Sequence, residues 1–402
     1  MLDIIHLHAD EVDTEPTLDA LLEQAESALD GRSPAAALLF TTSDHDHQRV
    51  IERVSGQFPD TAIIGGSTDG CFNALGEAMP DAILLTLFVS DDIEFSAGYG
   101  LALSDAPEAA TQAAVRQALE GLSGPPSLCI TTPDGNAGDL TVPVETLSGC
   151  LTPDTLVIGG TTGERKQRFV QSDSWQYCNG KALRDAIPVL LLRGELTASI
   201  GVGSGWVPLG VPLEVTHVEG SVIRTLNHRP AAEVFAEAVG LSVEEVAQHS
   251  LVEFPLAVFP DAKSDNFYLR AILSLDIESN SLRCTATIPE GTHVCTTSVD
   301  TESMIRAARS AIDSALEGLS GTPAGLFTIS CAARKWILGS RISQEARALK
   351  ASAEASQLTT AGFYSYGEIA PVSTLTSAHT ALHSSQPWFH NETCVVLALG
   401  SP

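Results

Sequence analysis

A thiol, a guanidinium and several carboxyl groups stand close together in the last quarter of this 402-residue chain. In SCAARKWILGSRISQEA, residues 330–346, Cys331 ends an apolar run, Arg334 follows it, and Glu345 comes near the end of the stretch. GFYSYGEIAP, residues 362–371, adds Phe363, Tyr366, Gly367 and Glu368. Two chemistries suit these residue types. A thiol beside a cation can act as a nucleophile, because positive charge favours the thiolate. Alternatively, Arg334 pairs a ligand carboxylate through two parallel N–H bonds, Glu368 holds an ammonium with Glu345 as a spare, and Tyr366 and Phe363 wall the pocket. A third reading is purely structural: Arg334 pairs with Glu368 or Glu345 across two loops.

The nucleophile reading has little around it. The chain holds no GxSxG, no local signature of a cysteine protease and no carboxylates clustered at metal spacing. The hydroxyls at Ser67, Thr68, Thr161 and Thr162 have no base beside them in sequence. No catalysis is expected. Histidines offer a different chemistry, since imidazole can ligate a haem iron. HTALH carries His379 and His383, His390 follows, and HDH supplies His45 and His47. Neither group has HExxH or a cysteine at zinc spacing, and both are read as exposed because their segments are polar. Aromatic residues make up 5% of the chain, which is thin material for the walls of a porphyrin pocket.

Composition narrows the classes further. The chain is 44% hydrophobic and 18% charged, enough to bury more than one core. Its 50 acidic residues against 22 basic ones leave a formal charge of -28, which repels phosphate backbones and anionic headgroups. Neither nucleic acid nor a membrane surface is expected as a partner. MLDIIHLHAD lacks the basic and apolar regions of a signal peptide, and no apolar run approaches the roughly 20 residues that span a bilayer, so a cytoplasmic location is expected. The 8 cysteines include no CxxC, and Cys129, Cys331 and Cys394 lie in apolar runs. Free buried thiols are expected, with neither a disulfide frame nor a cysteine zinc site.

The elements that must position these groups are written at least twice. AALLFTTSDHD (36–46) matches PSLCITTPDGN (126–136), IIGGSTDG matches VIGGTTGE, and DAILLTLFVSDDIEFSAGYGLAL (81–103) matches DAIPVLLLRGELTASIGVGSGWV (185–207). The glycine pairs resemble phosphate loops, but neither has GxxxxGK[ST] or GxGxxG, and each leads into another strand instead of a helix. Each is therefore either a tight strand exit or the wall of a pocket. Helical spacing at Val50, Ile51, Val54 and Phe58, and Pro107 with Gly121 around residues 106–122, place helices between the strands. Short links such as SDD imply antiparallel neighbours. The fold class expected is mixed α/β, of α+β type: two related domains, each a mixed sheet with helices outside, built on β-α-β-β-β-α pseudo-repeats.

A change of character near residue 220, with Pro208, Pro212 and Pro230 and short polar turns, divides the chain into 1–220, which contains the duplication, and 221–402. Beyond it come strands LAVFP, NFYLRAILSLD and SLRCTATI, a helix over 300–319, and GLFTISC as a buried strand that ends at Cys331. GFYSYGE closes like GGTTGE, so the second part reads as a diverged copy of the same plan.

SCAARKWILGSRISQEA, GFYSYGEIAP and FHNETCVVLAL resemble the C-terminal half of FIST proteins, the family named for F-box and intracellular signal transduction. The glycine-pair strands, GSGWVPLG and VTHVEGSVIRTLNHRPAAEVF resemble its N-terminal half and the junction, so the likeness covers most of the chain. The resemblance implies a cytoplasmic sensory module that binds a small ligand such as an amino acid. It also implies output to a separate partner, such as a histidine kinase or a cyclic-di-GMP enzyme, because no F-box, kinase or cyclase sequence is present here. Some bacterial members are haem-binding nitric-oxide sensors. That alternative implies haem b at one of His379, His383, His390, His45 or His47.

Overall fold

The structure, a computed structural model, describes residues 2–164, 174–260, 266–371 and 386–402. Its strands are runs of apolar and β-branched residues buried on both sides, as expected where both faces of a sheet are covered. In Ala36–Thr41, for example, Leu38 and Phe40 point to one core while Ala37 and Leu39 point to another. Three six-stranded sheets form in this way among the described residues, with an eight-stranded sheet beside them.

The three sheets share one plan. Each has a parallel pair at its centre: Ala36–Thr41 with Ala62–Ser67, Leu128–Thr131 with Leu156–Gly160, and Thr322–Cys331 with Thr360–Ser365. On one side an antiparallel strand follows, Ile83–Val89, Ala186–Gly194 or Cys394–Ser401, and then an outer strand, Asp3–Ala9, Ile93–Leu101 or Thr197–Gly203. Three units result, the third being the diverged copy read from GFYSYGE in the second part of the chain. The remaining edge of each sheet is closed by a hairpin from another unit. Gln176–Cys178 of the second unit pairs with Ala62–Ser67 of the first, Glu368–Pro371 of the third pairs with Leu156–Gly160 of the second, and Cys71–Phe72 of the first pairs with Thr360–Ser365 of the third. The exchange runs in a closed ring.

Inner faces of the three sheets pack into one shared core, in which Phe40 stacks on Phe363 at 3.7 Å between ring centroids. Helices cover the outer faces: Thr14–Leu29 and His47–Gln57 on the first, Pro107–Leu119 and Thr141–Cys150 on the second, Thr301–Gly318 and Ile342–Ala355 on the third. The mixed α/β class with helices outside is thus the observed one. None of these helices is long and apolar enough to cross a membrane. All 8 cysteines are free, and all but Cys150 are buried.

Three details differ from the sequence reading. The SDD link does not join antiparallel neighbours: Ile83–Val89 belongs to the first sheet and Ile93–Leu101 pairs with Ala186–Gly194 in the second. A short link limits distance, and at a corner where two sheets meet that distance is also satisfied by crossing from one to the other. The two TT pairs are also out of step, because Thr41 faces Ile83 whereas Thr131 faces Val189. NFYLRAILSLD, read as one strand, breaks at Ala271 into Tyr268–Arg270 and Ile272–Asp276, which lie at opposite ends of the eight-stranded sheet. That sheet is built from residues 207–298 and is inserted in the third unit between Thr197–Gly203 and helix Thr301–Gly318.

Close packing explains the glycines. A Cβ on Gly65 would lie 1.8 Å from the Leu39 carbonyl oxygen, and one on Gly100 would lie 1.8 Å from that of Ala110 in the covering helix. Gly65→Ala should therefore destabilise the protein by more than about 3 kcal/mol in urea titration. Gly56→Ala, in helix His47–Gln57 with open space around it, should stabilise it by about 0.5–1 kcal/mol. Equal effects at the two positions would contradict the packing account.

Candidate functional site

Parallel strand pairs deliver their carboxyl ends to one end of a sheet, the place where open α/β folds bind ligands. Here the three such ends meet. The Gly163 N–H donates to Ser67 O at 3.1 Å, Tyr366 N–H to Thr161 O at 3.3 Å, Thr161 N–H to Gly367 O at 2.9 Å and Tyr364 N–H to Gly70 O at 2.9 Å. The Thr68 hydroxyl adds a bond to Tyr364 O at 2.9 Å. Every glycine-hydroxyl run therefore ends against the run of another unit.

Ionisable side chains gather at this junction. Asp69, 1% exposed, follows the first run, and Lys335 and Trp336 reach it from helix Ala332–Leu338 of the third unit. Lys335 Nζ donates to Asp69 O and lies 3.2 Å from Oδ2, which also accepts the Trp336 indole N–H at 2.9 Å. The Tyr366 hydroxyl donates to Glu164 O at 2.9 Å and lies 3.4 Å from Asp69 Oδ1. Burial and the Asp69 carboxylate push the Tyr366 phenol upward, so it stays a donor at neutral pH. Behind this rim, Glu164 Oε1 lies 2.8 Å from His47 Nε2, and His47 Nδ1 meets the buried Tyr177 hydroxyl. Lys335 is 15% exposed and Trp336 49%, so the junction faces solvent on their side. The Lys335 ammonium is the charged group of the junction that an anion of a ligand meets from solvent.

The residues singled out from sequence separate into three places. Arg334 is fully buried: Nη1 donates to Ser204 O, and Nη2 donates to Met304 O at 2.9 Å and to Glu345 Oε2 at 2.8 Å. Glu345 also accepts from the Ser330 hydroxyl. Glu368 does not join this pair; it accepts from Ser365 and from the Thr393 hydroxyl at 2.7 Å and N–H at 3.1 Å. Phe363 lies in the shared core, and a Cβ on Gly367 would meet the Phe389 ring at 2.5 Å. Of the set, Tyr366 alone reaches the solvent-facing junction. Cys331 is buried, and desolvation together with Glu368 and Glu392 drives its thiol well above the usual value of 9.0. Such a thiol is the opposite of an activated one.

The histidines read as exposed are buried where they are described. His45 has Nδ1 3.5 Å from the Thr14 hydroxyl, and burial lowers its pKa. His390 Nε2 bonds Ala370 O at 2.8 Å, and burial lowers its pKa to about 4. Polarity of the HDH segment misled the sequence reading, because strand ends packed against another unit bury polar side chains too. His379 and His383 lie outside the described residues. Asp69, Glu164, Lys335 and Trp336 were missed, although Asp69 and Glu164 close the glycine-hydroxyl runs and Lys335 and Trp336 follow Arg334 directly.

The FIST N domain matches residues 35–229 and the FIST C domain matches residues 231–371. The chain belongs to the FIST family. FIST domains are associated with signal-transduction sensing and small-ligand binding. Two uncharacterized proteins of Mycobacterium tuberculosis, from strains CDC 1551 / Oshkosh and H37Rv, are each 26% identical over 239 residues, 58% of this chain and 59% of the relative. Among solved structures, a cyanuric acid hydrolase from A. caulinodans aligns over 100% of this chain and 99% of its own with TM-score 0.37 and 7% identity. PurLQS from Thermotoga maritima aligns over 100% of this chain and 72% of its own, with TM-score 0.24 and 13% identity. Within the FIST chain the two matched domains interlock, since Glu368–Pro371 pairs with Leu156–Gly160 and Thr360–Ser365 with Cys71–Phe72.

Two predictions follow from the buried groups. Arg334→Met should cost about 3–5 kcal/mol in urea titration by leaving Glu345 buried and unpaired. Lys335→Met should cost less, about 1–3 kcal/mol, because the buried Asp69 carboxylate it leaves still accepts the Trp336 indole N–H. The second concerns pH. Burial raises the Glu368 carboxyl from 4.5 to about 7, and burial with Glu368 beside it raises Glu392 well above 4.5. Carboxyls raised on folding contribute stability that is complete below the unfolded value and is lost as pH rises through the folded one. Between pH 5 and about 8, unfolding free energy of the Glu368→Gln variant should therefore fall less steeply than that of wild type. Taking the difference cancels His6 and His390, which burial lowers to about 4 and which lose stability as pH falls. Parallel pH profiles for the two proteins would refute the assignment.

Proposed function

We propose that the protein is a sensory module that binds a small zwitterionic ligand, an amino acid, at the junction of the three carboxyl ends and passes the signal to a separate protein. The observation that carries this reading is the rim itself. Asp69 and Lys335 place opposite charges within 3.2 Å of each other, from different units, beside an aromatic edge formed by Trp336 and Tyr366. A ligand ammonium competes for Asp69 while its carboxylate takes Lys335, and the apolar part lies against Trp336. Because the groups come from the first and third units, occupancy changes how the units press on one another, which is what a sensor needs.

Binding without turnover is part of the proposal. The buried thiol of Cys331, held in its neutral form, supports it. The output partner, a histidine kinase or a cyclic-di-GMP enzyme, rests on the association of FIST domains with signal transduction.

The test is a thermal-shift screen of the amino acids, followed by calorimetric titration of any that raise the midpoint. Lys335→Met and Asp69→Asn should each weaken binding of the active compound about tenfold to a hundredfold, as expected for loss of a charge-assisted hydrogen bond. Unchanged affinity in both variants would move the site elsewhere. An absorption band of haem in the purified protein would replace this ligand class altogether.

A further inference from the structure

Where the inserted sheet meets the sheet of the second unit, a buried cation has no counterion among the described residues. Arg270 ends strand Tyr268–Arg270 and is 3% exposed. Its guanidinium lies over the rings of Tyr268 and Phe389, with Cζ 5.2 and 5.3 Å from their centroids. Nε and Nη1 have no hydrogen-bond partner, and no ion pair to Arg270 forms among the described residues. Asp139, an acid on the same seam, is committed to the N–H groups of Thr141 at 2.9 Å and Thr287 at 2.7 Å.

The surroundings are built and held. His390, 1% exposed on strand Pro387–His390, uses Nε2 to bond Ala370 O, so its Nδ1 is an acceptor, and that atom also has no partner. Asn391 ties the two strands together. Its N–H donates to Leu269 O at 3.2 Å, and its Oδ1 accepts from Ala271 N–H at 3.1 Å and the Thr285 hydroxyl at 2.6 Å. Arginine cannot relieve the cost of burial by losing its proton, as a lysine can. Water could satisfy the N–H groups but would leave the charge uncompensated, at a cost of several kcal/mol. Each of the two ring faces offsets about 2 kcal/mol of that, but neither carries a negative charge or fills an N–H.

We propose that this seam binds a small free carboxylate of the size of formate or acetate, with Arg270 supplying the charge and His390 Nδ1 accepting a hydrogen bond from a water carried with the anion. The site joins the inserted sheet to the three-unit body and lies apart from the Asp69 and Lys335 rim, so either assignment can fail without the other.

The test uses the full chain and sodium formate against sodium chloride at constant ionic strength. Formate should raise the thermal midpoint of wild type in a saturable way, beyond the effect of chloride. Arg270→Met should weaken the formate response at least tenfold while being no less stable than wild type in formate-free buffer, since it removes an uncompensated charge. A formate effect no larger than that of chloride on wild type, meaning water alone fills the seam, would overturn the proposal, as would an undiminished response in the variant. If the variant does not fold, broadening of the 13C-formate resonance by wild type, reversed by acetate, supports the site, and an unbroadened resonance sinks it.

Discussion

Each parallel strand pair in this protein has one edge that its own unit cannot close. An unpaired edge presents a row of N–H and C=O groups that must find partners or be shielded. The hairpins at Cys71–Phe72, Gln176–Cys178 and Glu368–Pro371 meet that need reciprocally, each leaving its own unit to finish the sheet of another. Because the three exchanges form a ring, no sheet is complete until all three units are present. The shared core, with Phe40 against Phe363, and the meeting of the three carboxyl ends are geometric consequences of the same exchange.

That convergence produces two kinds of buried charge. In the interior of the third unit, Arg334 and Glu345 are bonded to each other and to backbone carbonyls, an arrangement that holds strands and helix ends in register. Such a pair is expensive to break and gains little over an apolar replacement. Glu368 and Glu392 meet burial differently, by holding their protons to higher pH than an exposed carboxyl does. At the rim, Lys335 keeps partial access to solvent while Asp69 is buried beneath it, so the pair is open to a ligand from the Lys335 side. Residue types alone did not distinguish these situations; an arginine and a lysine one position apart in the chain face opposite ways.

Much of the secondary structure was legible because its signals are local. Pro107 begins a helix that the structure places at Pro107–Leu119, and the apolar spacing over 300–319 appears as Thr301–Gly318. The glycine pairs announced close approach of backbones, and Gly65 against Leu39 O shows it. The candidate site was legible only at Tyr366. Asp69 and Glu164 were in view as the ends of the repeated runs, but nothing in a run states which other run it will touch. The histidines of HDH looked exposed because a polar segment is ordinarily solvated, an inference that fails where units interlock.

By itself the sequence determined the class of fold, the repetition, the buried strands and free thiols, and membership of the FIST family. These rest on periodicity, turn chemistry and motifs, which act over a few residues. Tertiary structure alone decided that the three copies exchange hairpins in a ring, that SDD crosses between sheets, that Arg334 belongs to the interior, and that Asp69 meets Lys335. Strand pairing between units depends on which edges remain open after every local element has formed. Backbone hydrogen bonds carry almost no side-chain information, so that choice is made by the whole assembly and not by any one segment.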